Sequence, residues 1–234
     1  MASFVLVHGS TQNACCWSAV AALLKRRGHD VATPELPKRA PEWGFEDYAG
    51  VIARSINTSD AIVVAHSMSG AFLPLVPSIR SCAALVFLAA AMPEPGRSAR
   101  DQCADDPPML SAEWMSTGAR WFDESQREPL ARKFLFHDCD DETIARALGT
   151  IELLDATHLF TVPHPLLAWP EVPTVSIVAT LDRTISPTWT RQTTRRVLAV
   201  EPIEIETGHC PHVSQPERVA SMLERLVPRQ ANRA

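Results

Sequence analysis

The stretch "VVAHSMSGAF" (residues 63–72) places Ser67 between an apolar, β-branched run and the start of a helical pattern. A serine at such a sharp strand-to-helix turn occupies a strained backbone position, which suits a nucleophile. The turn needs small residues two positions before and two positions after, because strand and helix pack tightly there. Ala65 and Ser69 meet this need where glycine is more usual, and Gly70 follows. The alternative is an ordinary helix N-terminus capped by Ser67.

Outward from this stretch, short β-rich runs alternate with helical patterns. The predicted strands cover residues 4–8, 29–36, 60–66, 83–92, 173–180 and 202–206. The predicted helices cover residues 17–28, 44–57, 68–79, 188–199 and 214–227, and prolines interrupt the one over 68–79. Strands that alternate with helices form right-handed βαβ units and a parallel sheet. The predicted fold class is therefore α/β, with an open, mostly parallel sheet and flanking helices.

The alternation stops between the fourth and fifth predicted strands. Residues 93–169 contain no further strand of similar quality, but they carry several Trp and Phe residues. We predict that this segment is a helical lid inserted into a single domain that spans residues 1–234. Four of its aromatic residues are candidates to line an apolar substrate pocket: Trp114, Trp121, Phe122 and Phe136.

Length, composition and charge narrow the function classes. A chain of 234 residues fits one α/β domain, and its net charge of −5 predicts neither nucleic-acid nor membrane partners. No apolar run is long enough to span a bilayer, and the N-terminal run lacks the pattern of a signal peptide. We therefore expect a cytoplasmic protein, with a homodimer possible. The six cysteines form no CxxC pair and are expected to be free thiols, and the polar segment 228–234 to be frayed.

The stretch "VLVHGSTQNACCW" (residues 5–17) reads as a strand followed by a loop that leads into a helix. Acyl transfer needs two backbone N–H donors aimed at the developing oxyanion. The residue after the nucleophile, Met68, would supply one donor. Ser10, in the loop after the first strand, would supply the other, and Gly9 would let that backbone approach closely.

Asp182, in "VATLDRTISP", and His209, in "IETGHCPHVSQPE", each follow a predicted strand. The carboxyl ends of parallel strands share one edge of a sheet, so both side chains should meet Ser67 there. His209 would take the serine proton, and Asp182 would orient and stabilise the imidazole ring. The chain order Ser67, Asp182, His209 supports this hypothesis. Three other histidines adjoin the predicted site and are expected to be structural: His8, His66 and His212.

The acidic segment "FHDCDDE" (residues 136–142) is a weaker candidate for chemistry. Its spacing matches no zinc or calcium loop, and a solvated helix start rich in acidic residues explains it better. There is also no glycine-rich phosphate loop. The sequence therefore predicts no metal and no cofactor.

Jointly, these segments resemble one family over nearly the whole chain: the small α/β-hydrolases that include plant hydroxynitrile lyases, methylesterases and bacterial esterases. The stretches that carry the resemblance are "FVLVHGSTQNACCW", "GHDVATPELP", "AHSMSG", "FHDCDDE", "LDRTISP" and "GHCPHVSQPE". The resemblance implies the α/β-hydrolase fold with a lid. It also implies Ser67 as nucleophile, Asp182 as acid, His209 as base, and Ser10 and Met68 as oxyanion donors.

Two positions bear on the reaction that the resemblance implies. The lyases of this family resemble one another in a threonine after the first loop's turn and a lysine directly after the catalytic histidine; here Ser10 and Cys210 stand there. We therefore expect a cofactor-free serine hydrolase that cleaves an ester of a small, largely apolar acid through an acyl-enzyme. The alternatives are a hydroxynitrile lyase-type enzyme, a thioesterase or lactonase, or a ligand-binding protein that retains the triad.

Overall fold

The computed structural model describes residues 1–227, so the predicted frayed segment 228–234 lies outside the described residues. Six strands form one sheet in the order β2-β1-β3-β4-β5-β6, and every neighbouring pair is parallel. The strands are β1 (Ser3–Val7), β2 (Asp30–Ala32), β3 (Ile62–Ser67), β4 (Ala84–Ala90), β5 (Thr174–Ala179) and β6 (Ile203–Ile205). The predicted α/β fold with an open parallel sheet is confirmed. The second strand is much shorter than predicted, because Pro34 lacks the N–H that a strand ladder requires.

Helices cover both faces of this sheet. Within residues 1–227 the α-helices are α1 (Ser18–Arg26), α2 (Phe45–Arg54), α3 (Val76–Ile79), α4 (Ala99–Cys103), α5 (Ala112–Met115), α6 (Glu124–Leu130), α7 (Asp141–Leu148), α8 (Pro187–Leu198), α9 (Pro211–Ser214) and α10 (Pro216–Arg225). One face packs against α1 and α10, and the other packs against α2, α3 and α8. None of these helices combines the length and the apolar character needed to cross a membrane.

The alternation of side chains along each strand assigns them to the two cores. On β1, Val5 packs in the core on the α2 side, whereas Phe4 and Leu6 pack in the core on the α1 side. On β3, Val63 and Val64 divide in the same way. All these side chains are fully buried, because helices cover both faces of a parallel sheet.

Prolines affect two of the predicted helices, one in its interior and one at its start. The helix predicted over 68–79 is a 3-10 helix, Met68–Leu75, that continues into α3; Pro74 lies inside it and cannot donate a backbone hydrogen bond. The helix predicted over 214–227 corresponds to α10, which begins at Pro216 and ends at Arg225, and the short α9 precedes it.

The long connection between β4 and β5 is helical, as its sequence predicted. It contains α4 to α7 and three further helical turns: Gly118–Phe122, Ala131–Leu135 and Thr157–Thr161. In the described chain it adds no strand to the sheet, and it meets the sheet domain at three isolated bridges: Gln12 with Ile151, Arg39 with Asp155, and Leu110 with Ile185. Its treatment as a lid bounded at 93 and 169 stays a prediction.

Gly70 marks the closest approach of helix and sheet. A Cβ atom there would overlap the carbonyl oxygen of Ala91 and lie 3.0 Å from the Cβ of Ala90. By contrast, Gly50 lies within α2, and a Cβ there would meet only Arg54 Nη1, at 3.5 Å.

We expect Gly70→Ala to lower the free energy of unfolding by about 1–3 kcal/mol, because the added methyl group overpacks this contact. The control Gly50→Ala should raise it by roughly 0.5–1 kcal/mol, because alanine restricts the unfolded chain and favours the helix. Urea unfolding measures both. A Gly70→Ala variant as stable as the parent would contradict the contact.

Candidate active site

Ser67 ends β3 and begins the turn into the 3-10 helix. Its backbone has φ 58° and ψ −137°, a left-handed conformation that non-glycine residues rarely adopt. Its side chain makes no capping hydrogen bond to the helix, so the alternative of a plain N-cap is wrong. Ser67 therefore sits in a strained turn, and its hydroxyl lies beside His209 and not over the helix N-terminus.

Close backbone packing holds this strained turn. The amide of Ala91 donates to the carbonyl of Ser67 at 3.0 Å, and Ser69 Oγ donates to the carbonyl of His8 at 2.6 Å. A Cβ atom at Gly9 would lie 2.8 Å from Ser67 Cβ, so a larger residue there would push against the serine. The small residues around Ser67 thus serve the packing that the sequence indicated.

The three predicted catalytic side chains meet in one hydrogen-bonded row. His209 Nε2 lies 2.9 Å from Ser67 Oγ, and His209 Nδ1 lies 2.8 Å from Asp182 Oδ2. The exposed fraction is 4 % for Ser67 and 1 % and 3 % for the side chains of His209 and Asp182. When Nδ1–H donates to the carboxylate, the lone pair of Nε2 faces the serine hydroxyl. This arrangement can accept the serine proton.

Asp182 is itself fixed by the backbone that follows it. Its Oδ1 accepts hydrogen bonds from the amides of Thr184 at 2.7 Å and Ile185 at 3.1 Å. The carboxylate therefore presents one oxygen to its own loop and the other to His209. A ring held in this way keeps a single orientation toward the serine.

The two loops after β5 and β6 are joined directly to each other. The amide of Leu181 donates to the carbonyl of Thr207 at 3.0 Å, and the amide of Thr180 donates to the carbonyl of Ile205 at 2.9 Å. Asp182 and His209 follow these bonds, so both lie at the carboxyl edge of the sheet, as expected for a parallel α/β fold.

Ser10 and Met68, the predicted oxyanion donors, lie in the loop after β1 and at the start of the 3-10 helix. Met68 is the first residue of its 3-10 helix, so its N–H has no partner within the helix. Ser10 follows β1 in a loop that the long connection holds: the amide of Leu154 donates to the carbonyl of Ser10 at 2.7 Å, and that of Glu152 to the carbonyl of Thr11 at 3.1 Å. Both residues line the cavity described next.

A cavity of about 470 Å³ opens between the sheet edge and the long connection. Trp114, Trp121 and Phe122 line it, as the sequence predicted, and Phe122 is 54 % exposed. Phe136 is a correction. It is fully buried in a separate cluster and does not belong to the cavity wall, because its helical turn directs it toward Cys210 and the inside of the connection.

Sequence reasoning missed much of the apolar wall. These residues are Phe45, Phe72, Met109, Leu110, Leu154 and Phe160. Phe45 and Phe72 come from helices packed on the sheet, where an apolar residue is the ordinary pattern of a core face. Nothing in their local sequence distinguishes a cavity wall from the core.

Three polar residues of the cavity wall, Arg97, Gln102 and His164, are already engaged by protein groups. Arg97 pairs with Glu94 at 2.9 Å and with Asp105 at 2.7 Å. Gln102 donates to a backbone carbonyl at 2.8 Å, and His164 Nε2 lies 2.7 Å from another. Burial lowers the pKa of His164, which keeps its ring neutral at pH 7. The wall that the cavity presents to a ligand is therefore largely apolar, and its Arg97 is already paired.

The other three histidines near the site are fully buried in supporting positions. His66 Nε2 lies 2.8 Å from the carbonyl of His209, and His212 stacks on Trp17 with ring centroids 4.4 Å apart. His8 Nδ1 lies 2.8 Å from the neighbouring carbonyl in its own loop. Burial, together with the neighbouring histidines, lowers the pKa of His66 well below its usual value and that of His212 to about 3.

The buried neutral ring of His212 makes stability depend on pH. Between about pH 6.5 and 3, the unfolded chain binds a proton at this residue and the folded chain does not, so stability falls as pH falls through this range. In His212→Phe, we expect the free energy of unfolding near pH 5 to depend less steeply on pH, by about 1.4 kcal/mol per pH unit.

Urea unfolding at several pH values measures this slope. His158→Gln, at an exposed position, is the matched control for the loss of a histidine. An equal slope in His212→Phe and the parent would show that His212 titrates normally in the folded protein.

The acidic segment 136–142 contains the predicted helix start. Asp140 caps α7 by accepting the amide of Thr143 at 2.8 Å. All six cysteines are free, as expected. Within residues 1–227, no three His, Cys, Asp or Glu side chains are grouped so that they could hold a metal ion.

Comparison with known families agrees with this geometry. Residues 4–222 match the model of the alpha/beta hydrolase family. The chain belongs to this family. Among characterised relatives of this alpha/beta hydrolase, a pyrethroid hydrolase of Sphingobium wenxiniae is 25% identical over 94% of this chain and 85% of that protein. A carbendazim hydrolyzing esterase of Nocardioides is 36% identical, and Methylesterase 7 of Arabidopsis thaliana is 35% identical.

These last two matches are partial. They cover 42% and 39% of this alpha/beta hydrolase, and 46% and 40% of the respective relatives. Among solved structures, a pyrethroid hydrolase from Sphingobium faniae aligns with a TM-score of 0.77 at 21% identity, over 98% of both chains. A polyneuridine aldehyde esterase mutant aligns with a TM-score of 0.75 at 21% identity, over 96% of this chain and 98% of that one. The structural matches establish the shared fold.

Proposed function

We propose that this alpha/beta hydrolase is a serine carboxylic ester hydrolase with Ser67 as nucleophile, His209 as base and Asp182 as acid. The observation that carries the proposal is the buried row of hydrogen bonds from Asp182 through His209 to the strained Ser67. Relatives named as esterases and hydrolases support it.

The first step follows from this row. Ser67 Oγ attacks the ester carbonyl carbon while its proton passes to His209 Nε2. The imidazolium ion that forms is stabilised by the carboxylate of Asp182, 2.8 Å away. Because all three side chains are nearly inaccessible to water, these charge interactions are stronger than they would be in solvent.

The negative charge that develops on the carbonyl oxygen needs its own donors. In this proposal the amides of Ser10 and Met68 supply them, from the loop after β1 and from the first residue of the 3-10 helix. Neither N–H needs to move, because the surrounding backbone bonds hold both segments. One such donor is worth roughly 2.7–4 kcal/mol of transition-state stabilisation in comparable enzymes.

The tetrahedral intermediate then collapses. The C–O bond to the alcohol breaks, and the alcohol leaves with the proton from His209, which leaves an acyl group on Ser67. A water molecule, deprotonated by His209, attacks this acyl-enzyme and releases the acid. The serine recovers its proton, so no cofactor is consumed in the cycle.

Cys210 favours hydrolysis over the cyanohydrin-cleaving alternative. It occupies the position after His209 where the related lyases carry a lysine, and it is fully buried. Burial, together with the neighbouring Cys16 and Asp182, raises the pKa of Cys210 well above its usual value. A neutral thiol cannot stabilise a departing anion as an ammonium group would.

The cavity supports an uncharged, largely apolar substrate. Three of its wall residues, Arg97, Gln102 and His164, are neutralised or hydrogen-bonded by other protein groups, so a substrate charge would find no free ionic partner among them. An unpaired charge in an apolar site costs several kcal/mol. The substrate that we propose is thus a small-molecule ester, whereas the cytoplasmic location and the possible homodimer stay predictions from the sequence.

We expect Ser67→Ala to reduce hydrolysis of p-nitrophenyl acetate and butyrate by at least about 10³-fold, because the nucleophile is lost while the fold is kept. Intact-mass spectrometry should show an acyl adduct on the parent and none on the variant. Ser78→Ala, at an exposed helix position, is the control.

Ester hydrolysis retained in Ser67→Ala would refute the mechanism. A folded parent with neither turnover nor adduct would instead favour a ligand-binding protein or a lyase. Measuring kcat/KM for a thioester and for a lactone, alongside the p-nitrophenyl esters, would test the thioesterase and lactonase alternatives.

The charge of the substrate provides a separate test. We expect p-nitrophenyl butyrate to be hydrolysed with a kcat/KM at least about 100-fold above that of the mono-p-nitrophenyl ester of succinic acid, whose carboxylate would enter the apolar cavity. Similar kcat/KM values for the two esters would show that the acyl group does not occupy this cavity.

A further inference from the structure

Two residues of the acidic segment, His137 and Asp138, contact the loops that carry the base and the acid. We call this pair the brace. It follows the helical turn Ala131–Leu135 and precedes α7, and both of its side chains are partly exposed. Neither side chain takes part in the mechanism proposed above.

Asp138 reaches the base loop. Its Oδ2 accepts the amide of Gly208 at 2.7 Å, and Gly208 is the residue before His209. Gly208 is buried, so its N–H needs a protein acceptor. A carboxylate is a stronger acceptor than a neutral oxygen. The hydrogen bond therefore fixes the backbone from which the His209 side chain extends.

His137 reaches the acid loop in the same manner. Its Nε2 lies 3.0 Å from the carbonyl of Leu181, the residue before Asp182, and donates to it in the corresponding tautomer. The brace thus contacts the backbone immediately before each of the two residues. These contacts add to the backbone hydrogen bond that joins the two loops directly, from the Leu181 amide to the Thr207 carbonyl.

The brace packs so closely on position 208 that only glycine fits there. A Cβ atom there would lie 2.6 Å from Asp138 Oδ1 and 2.8 Å from His137 Nε2. The backbone of Gly208 is pressed against both side chains. Phe136, directly before the brace, is fully buried in one cluster with Cys210, directly after His209, so hydrophobic packing also holds the two segments together.

We propose that Asp138 is a positioning residue for ester hydrolysis, acting through the Gly208 amide to hold His209 Nε2 in hydrogen-bond reach of Ser67. His137 supports Asp182 through Leu181. This inference rests on the proposed function. A displacement of about 1 Å in a reacting group can cost roughly 10²-fold in rate. Loss of the brace should therefore reduce kcat and leave binding in the apolar cavity unchanged, because neither brace residue lines that cavity.

The test compares Asp138→Ala with Asp138→Asn, using p-nitrophenyl butyrate. In Asp138→Ala the Gly208 amide loses its acceptor, and we expect kcat to fall by about 10–100-fold with KM changed less than about twofold. In Asp138→Asn the amide oxygen still accepts from Gly208, and we expect most of this loss to be recovered. Asp141→Ala, in the same segment but ion-paired only at the surface, is the control and should retain the parent kcat.

Active sites are counted in each variant, because a merely structural role would reduce the number of folded molecules and not the rate per site. Diethyl p-nitrophenyl phosphate, reacted to completion, forms a bond from Ser67 Oγ to phosphorus and releases one p-nitrophenolate per competent site. The kcat values are then expressed per site. Thermal unfolding of each variant gives its stability independently.

The outcomes separate this inference from the proposed function. A per-site kcat of Asp138→Ala within twofold of the parent, or a loss that Asp138→Asn does not recover, would overturn the positioning role. If Ser67→Ala remains active, the proposed function itself fails, and that result is independent of Asp138. His137→Gln keeps a donor for the Leu181 carbonyl, so it should retain more of the per-site kcat than His137→Ala. Equal per-site kcat values in these two variants would show that His137 has no supporting role.

Discussion

The site depends on the strained turn at Ser67, where β3 ends in a left-handed backbone conformation. Such a conformation persists only when the surroundings hold it. Gly9 and Gly70 let the neighbouring backbone pack against the turn from both sides, and Ser69 ties it to the loop after β1. The same close packing directs the Ser67 hydroxyl toward His209 and leaves the amide of Met68 free of the helix.

Around this turn, the parallel sheet brings three separate loops to one edge. His209 and Asp182 come from loops after neighbouring strands, and backbone hydrogen bonds join these loops before the side chains meet. The long connection adds a second layer of support. It holds the Ser10 loop through Leu154 and contacts the base loop through Asp138. The segment that lines much of the cavity therefore also contacts the loops that carry Ser10 and His209.

Much of this arrangement follows from local pattern. β-branched runs and helical spacing predicted five of the six strands closely and the parallel fold, because burial on both faces leaves a strong signal. The strand–turn–helix around Ser67, and the placement of Asp182 and His209 after strands, predicted the hydrogen-bonded row. Two predictions failed for different reasons: Pro34 shortened a strand through a local effect, whereas longer-range packing turned Phe136 away from the cavity.

The sequence by itself determined the fold class, the order of the three site residues and the small neighbours that the turn requires, because each depends on residue type at fixed local spacing. Only the tertiary structure decided which side chains line the cavity and which reach the loops. Asp138 and Asp140 stand two residues apart in one acidic segment, yet one holds the Gly208 amide and the other caps α7. The contact of Asp140 is local, but that of Asp138 is with a residue 70 positions away, which no local pattern encodes.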